Sequence, residues 1–115
     1  MAVSQCSGES WVDKPLSAEK FFAIVDDVDF EVDWYCSVFN VRMPKLVRQT
    51  QGKGRSFGGS YNPKLKSINY TKPYQGVILH ELAHHIAREQ GLTSSHEHHN
   101  AEFGRVLQEM IDMVL

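Results

Sequence analysis

The sequence has no long hydrophobic run. Its apolar stretches, such as FFAIV at residues 21–25, are a few residues long, whereas a membrane-spanning helix needs about twenty. No membrane partner is therefore expected. The opening MAVSQCSGESW lacks the basic-then-apolar leader that directs export. Cysteine is scarce too: Cys6 and Cys36 are too few for a disulfide framework and form no CxxC pair, which fits reduced thiols in a cytoplasmic compartment. Internal repeats and low-complexity tracts are missing. Hydrophobic residues at 42% and charged residues at 23% exclude a disordered or fibrous chain. At 115 residues the expectation is one domain around one core, spanning residues 1–115, with residues 1–14 loosely held.

Acid is missing from a long internal segment. Residues 42–72 hold eight of the twelve Lys and Arg (Arg42, Lys45, Arg48, Lys53, Arg55, Lys64, Lys66 and Lys72) and no Asp or Glu, while DDVDFEVD at 26–33 carries five carboxylates and no base. The net charge of −2 conceals this division. The basic segment reads either as a solvated face or as an electropositive surface for nucleic acid or an acidic protein. The negative total and the lack of an aromatic stacking platform favour the first.

Ser17 is a suitable N-cap, with Leu16 placed to staple onto Phe21, and Phe21, Ile24, Val25 and Val28 continue a helical stripe. In FEVDWYCSVFNV, Phe30, Val32 and Trp34 alternate as in a strand, whereas Trp34, Val38 and Val41 suit a helix. A helix that breaks or bends near Asp29 is expected. Past Pro44 come short extended pieces: KLVRQT, RSFGGSY and KSINY as three strands, a turn at Asn62-Pro63, and Gly58-Gly59 as a bulge or close backbone approach. After Pro73 the pattern is helical up to Gly91, and NAEFGRVLQEMIDMVL sets Phe103, Val106, Leu107, Met110, Ile111 and Val114 on one stripe. The expected fold is α+β: N-terminal helices, a small three-stranded sheet, an active-site helix and a C-terminal helix.

The chemistry is concentrated in VILHELAHHIAREQG, residues 77–91. At about 100° per residue, Ile78, Leu79, Leu82, Ala83, Ile86 and Ala87 share one side, and Val77, His80, Glu81, His84 and Arg88 the other. The apolar side suffices to anchor the helix, so burial does not require the histidines. Residues i and i+4 hold their Cβ atoms about 5–6 Å apart, close enough for two imidazoles to converge on one Zn²⁺ at about 2.0–2.1 Å. Glu81 can lean over the metal without binding it and act as general base, the His-Glu-x-x-His arrangement of zinc metallopeptidases. Random placement of the six histidines and the glutamates yields this pattern in about 2% of shuffled chains. His85, at the margin between the faces, is expected to support the ligands or face solvent, and Arg88 to solvate the helix.

A catalytic zinc site needs a third protein ligand and an open position. If the last helix reaches back to a capping box at Ser94-x-x-Glu97, His96 and His99 share the inward face of Phe103 and Leu107, while His98 joins Glu102, Arg105 and Glu109 on the polar face. The choice narrows to His96 or His99.

HELAHH followed by HNAEF, residues 80–85 and 99–103, resembles the SprT-like metallopeptidases and related small phage and bacterial metallopeptidases. In those proteins a histidine just before an Asn/Gly-x-Glu-Phe segment is the third zinc ligand. GGSYNPKLKSINY is similar to their small sheet, and the likeness covers about residues 55–107. It implies a minimal zincin-like fold, His99 as third ligand with His96 the alternative, Glu81 as general base, and a bacterial or phage-infected cytoplasm. It also implies an edge strand before the active helix, here KSINY, holding an extended protein or peptide substrate by its backbone. Within these residues there is neither the zinc ribbon nor the DNA-binding tail that DNA-repair members often carry. Tyr61, Tyr70 and Tyr74 precede the helix and could offer a phenol to the transition state, although packing is the commoner role of such tyrosines. The expected function is zinc-dependent peptide hydrolysis. Its alternatives are a repressor-cleaving immunity-type metallopeptidase and a non-catalytic zinc-containing module that binds nucleic acid or protein.

Overall fold

The computed structural model describes residues 12–49, 59–92 and 101–114. Among these the chain forms α1 (Ala18–Phe21), α2 (Val28–Phe39), β1 (Lys45–Arg48), β2 (Gly59–Asn62), β3 (Ser67–Tyr70), α3 (Gln75–Glu89) and α4 (Ala101–Val114). The fold is α+β, in the element order expected. No helix among the described residues is long and apolar enough to cross a membrane.

Ser17 caps α1 as anticipated, its Oγ accepting from the Lys20 N–H at 3.3 Å, and Leu16 and Phe21 both enter the core. The helix then stops after a single turn, earlier than the apolar stripe suggests. Ala23 and Val25 instead exchange backbone hydrogen bonds with the segment leading into α3: Val25 N–H donates to Pro73 O at 2.8 Å, and Gln75 N–H to Ala23 O at 2.7 Å. Ile24 bridges Tyr74 and is 56% exposed. Backbone pairing with a distant segment has overridden local periodicity.

Helicity resumes at Val28, with Asp27 as N-cap accepting from Phe30 N–H at 3.1 Å and Asp29 and Glu31 in a first turn that favours negative charge. The break thus falls just ahead of Asp29. The helix ends at Asn40 in the left-handed region (φ 57°), which lets the Asn40 and Val41 N–H groups reach carbonyls of the last turn. Its buried side is Val32, Tyr35 and Cys36, whereas Trp34 and Val38, whose spacing suits a helix, point outward.

The sheet has the order β1-β3-β2, β3 pairing parallel with β1 and antiparallel with β2. Asn62 forms the expected turn, its Oδ1 accepting from the N–H groups of Lys64 and Leu65 at 2.9 and 3.1 Å. KSINY, expected at the edge, is central. Both of its flanks are engaged in the ladder, so it has no free backbone for a peptide, and among the described residues β1 and β2 are the two edges.

α3 lies between the sheet and α4 and forms the centre of the core, with Ile78, Leu79, Leu82, Ala83, Ile86 and Ala87 all buried. α4 closes the far side through Phe103, Val106, Leu107, Met110 and Ile111, the stripe read from the sequence, and turns Glu102, Arg105 and Glu109 outward in an ion-paired row. At the end of the segment expected to be loosely held, Val12 packs on the core, and Lys14 exchanges two backbone hydrogen bonds with the Gln108 amide at 2.8 and 3.2 Å. Residues 1–11 lie outside the described residues.

Gly76, in the first turn of α3, admits the Phe21 ring: a Cβ there would fall 1.9 Å from Cδ2 and 2.2 Å from Cε2. Gly76→Ala should therefore lower unfolding stability by about 1–3 kcal/mol, despite alanine's better helix propensity. Urea unfolding checks this.

Candidate metal centre

Two neighbours shape the polar side of α3. From the sheet, β2 approaches so closely at Gly59 that a Cβ would lie 2.6 Å from Val77 Cγ1 and 3.3 Å from Glu81 Cγ. Gly59 is therefore the close backbone approach anticipated for the Gly-Gly pair, and Gly58 lies outside the described residues. From the other side, Phe103 of α4 stacks on the His84 ring (centroids 4.4 Å apart, planes at 26°) and meets the His80 ring edge-on at 5.2 Å. This face, expected to stand apart from the core, is largely enclosed: Val77, His80 and Glu81 are buried and His84 half-buried.

His80, Glu81 and His84 come together as expected. One ligand atom from each lies within 4.8 Å of the others, and the two imidazole centroids are 5.0 Å apart. The group could hold a metal ion. It contains no thiolate and a single carboxylate, a donor set that suits a borderline cation such as zinc better than the oxygen-seeking Ca²⁺ or Mg²⁺. Phe103 fixes the ring planes. The sequence marked Phe103 as a core residue and as part of the HNAEF resemblance, but its stacking role depends on how α4 crosses α3.

Burial pushes the Glu81 carboxyl up to about 8, because a carboxylate removed from water loses hydration. Arg88, on the same side of the helix, is half-buried. His96, His98 and His99, with the Ser94-Glu97 capping box, lie outside the described residues. On α4 itself, Phe103 and Leu107 point inward and Glu102, Arg105 and Glu109 outward.

The tyrosines separate. Tyr70 is buried, and Tyr74 is the residue preceding α3, half-buried and edge-on to Phe22. Tyr61 points to His85: its hydroxyl lies 2.8 Å from Nδ1, and His85 Nε2 lies 2.6 Å from Arg42 O. A carbonyl only accepts, so Nε2 carries the proton, and Nδ1 accepts from the phenol. His85 is thus a fully buried, neutral ring linking β2, α3 and the segment before β1, and it does not face solvent. Burial holds its pKa below the ordinary 6.5 and pushes Tyr61 up to about 12. Nothing in the periodicity of HELAHHIA distinguishes His85 from its neighbours. The distinguishing partner, Tyr61, is 24 residues away.

Comparison with family models, curated proteins and solved structures finds no match to this chain.

Two outcomes are expected. Tyr61→Phe removes the donor to a buried ring nitrogen and should cost about 1–3 kcal/mol of stability in chemical denaturation. Because the folded state depresses the His85 pKa, its contribution is fully present above the unfolded value of 6.5 and is lost as the pH falls below that toward the folded value. Glu81, pushed up to about 8 by burial, works in the opposite sense over the same range, so from pH 7.5 to 5.5 the urea midpoint of the metal-stripped parent should rise less than that of a variant in which His85 is replaced by a residue that does not titrate.

Proposed function

We propose that the chain is a zinc-dependent peptidase of the SprT-like kind, with His80 and His84 as ligands, His99 as the third ligand and Glu81 as the general base. The observation that carries this reading is the convergence of two imidazoles and one buried carboxylate from a single turn of α3. When bound, zinc supplies Lewis acidity that lowers the pKa of water toward 7 and polarises a scissile carbonyl.

The chain's own residues supply the rest. Glu81 takes the proton of the attacking water and delivers it to the leaving amine, a role suited to a carboxyl whose pKa burial has moved toward neutrality. The absence of a side chain at Gly59 leaves room for the Glu81 methylene beside the sheet. Phe103 holds the imidazoles and excludes water from one side of them. The substrate strand lies along β2, a sheet edge among the described residues that packs on α3, and main-chain pairing there gives affinity without strong side-chain preference. Tyr61 holds β2 to α3 through His85.

Glu81 also separates this proposal from a purely structural metal site, where a base beside the ligands has no task. Glu81→Gln should retain zinc near one per chain while hydrolysis of an unfolded protein such as casein falls by about 10²–10⁴-fold. Unchanged turnover would remove the proposed base. His99→Ala should lose zinc more completely than His96→Ala, measured by metal analysis after dialysis. The reverse order would move the third ligand to His96.

A further inference from the structure

α2 carries a surface that the core does not use. Phe30, Trp34 and Val38 recur at i, i+4 and i+8, and are 64%, 45% and 48% exposed. At 1.5 Å per residue they form a ridge about 12 Å long. Beside it on the same outward face run Asp29 and Asp33, and Asp26 and Asp27 stand exposed ahead of the first turn. None of these carboxylates takes part in an ion pair among the described residues. Exposed hydrophobic residues are common singly, but three aligned on one helix and flanked by charge of one sign mark an interaction surface.

We propose that the outward face of α2 is a docking site for a basic amphipathic helix of a partner protein. The apolar ridge presents side chains at the spacing that interdigitates with a second helix. Its aromatic members are of the type that dominates binding energy at protein interfaces. The carboxylates select a positively charged partner, and the same charge repels nucleic-acid phosphate and anionic lipid headgroups. The surface is independent of the metal centre and of any hydrolytic activity, since no member of the ridge belongs to α3.

The test uses the full chain and three dye-labelled helical peptides read by fluorescence anisotropy: one of Leu and Lys with an apolar stripe, the same with Glu for Lys, and the same with Ser for Leu. The Leu/Lys peptide should bind saturably and the other two at least about tenfold more weakly. Phe30→Ser combined with Val38→Ser, and separately Trp34→Ser, should each weaken the Leu/Lys peptide by about tenfold or more. Asp29→Asn with Asp33→Asn should weaken it and flatten its salt dependence. Met113→Ser, at an exposed apolar position on α4, should leave binding unchanged. Circular dichroism of these surface variants should match the parent. Equal binding of the Glu peptide, or Leu/Lys binding unaffected by the ridge variants, would overturn the proposal. So would concentration-dependent self-association abolished by Trp34→Ser, because a second copy would then be the occupant.

Discussion

The packing of α3 between the sheet and α4, its polar face included, is the constraint on which the remaining architecture depends. One face of the helix is packed with Ile78, Leu82 and Ile86, as in any core helix. The opposite face holds His80 and Glu81, which are costly to remove from water, and yet it is covered by β2 and α4. Covering it requires a glycine at position 59 so that the sheet can approach, and an aromatic ring at position 103 that tolerates imidazoles on its face. It also requires the first turn to be thinned at Gly76 to admit Phe21. These accommodations leave a polar triad within a compact interior, where electrostatic interactions are stronger than at an open surface.

The adjacent histidines of the helix illustrate how position divides one residue type into two roles. His84 lies half-buried on the triad side, with its ring plane set by Phe103. His85, one residue on and rotated by about 100°, points into the opposite layer, where a phenol and a carbonyl occupy both its nitrogens. With both nitrogens engaged it has no lone pair to offer a metal, and it serves instead to lock the edge strand against the helix. In the proposed chemistry that lock matters, because the edge strand holds the peptide and the helix holds the base.

Much of this was legible in the sequence. The apolar stripes of α3 and α4 lie where their periods place them, and the i, i+4 histidines with Glu81 converge as helical geometry requires. Ser17 caps α1, and Asn62 forms its turn. These features depend on neighbours within about one helical turn. What was not legible depends on distant partners. The stripe running from Phe21 through Ile24 and Val25 is cut short because Ala23 and Val25 pair with Pro73 and Gln75. α2 turns Val32, Tyr35 and Cys36 inward and leaves Trp34 outside, because a helix with apolar residues on several sides does not declare its buried one. β3 is central because β1, which precedes β2 in the chain, pairs in parallel with its free flank and not with β2, an order that strand patterns alone do not specify.

The central claim is that His80 and His84 share one metal ion. X-ray absorption at the zinc K-edge on the purified, zinc-loaded chain tests it most directly. The account predicts a first shell with imidazole nitrogen at about 2.0–2.1 Å that is lost when His80 and His84 are both replaced by alanine. Zinc that fails to bind tightly, or a shell dominated by sulfur at about 2.3 Å and indifferent to those replacements, would contradict it.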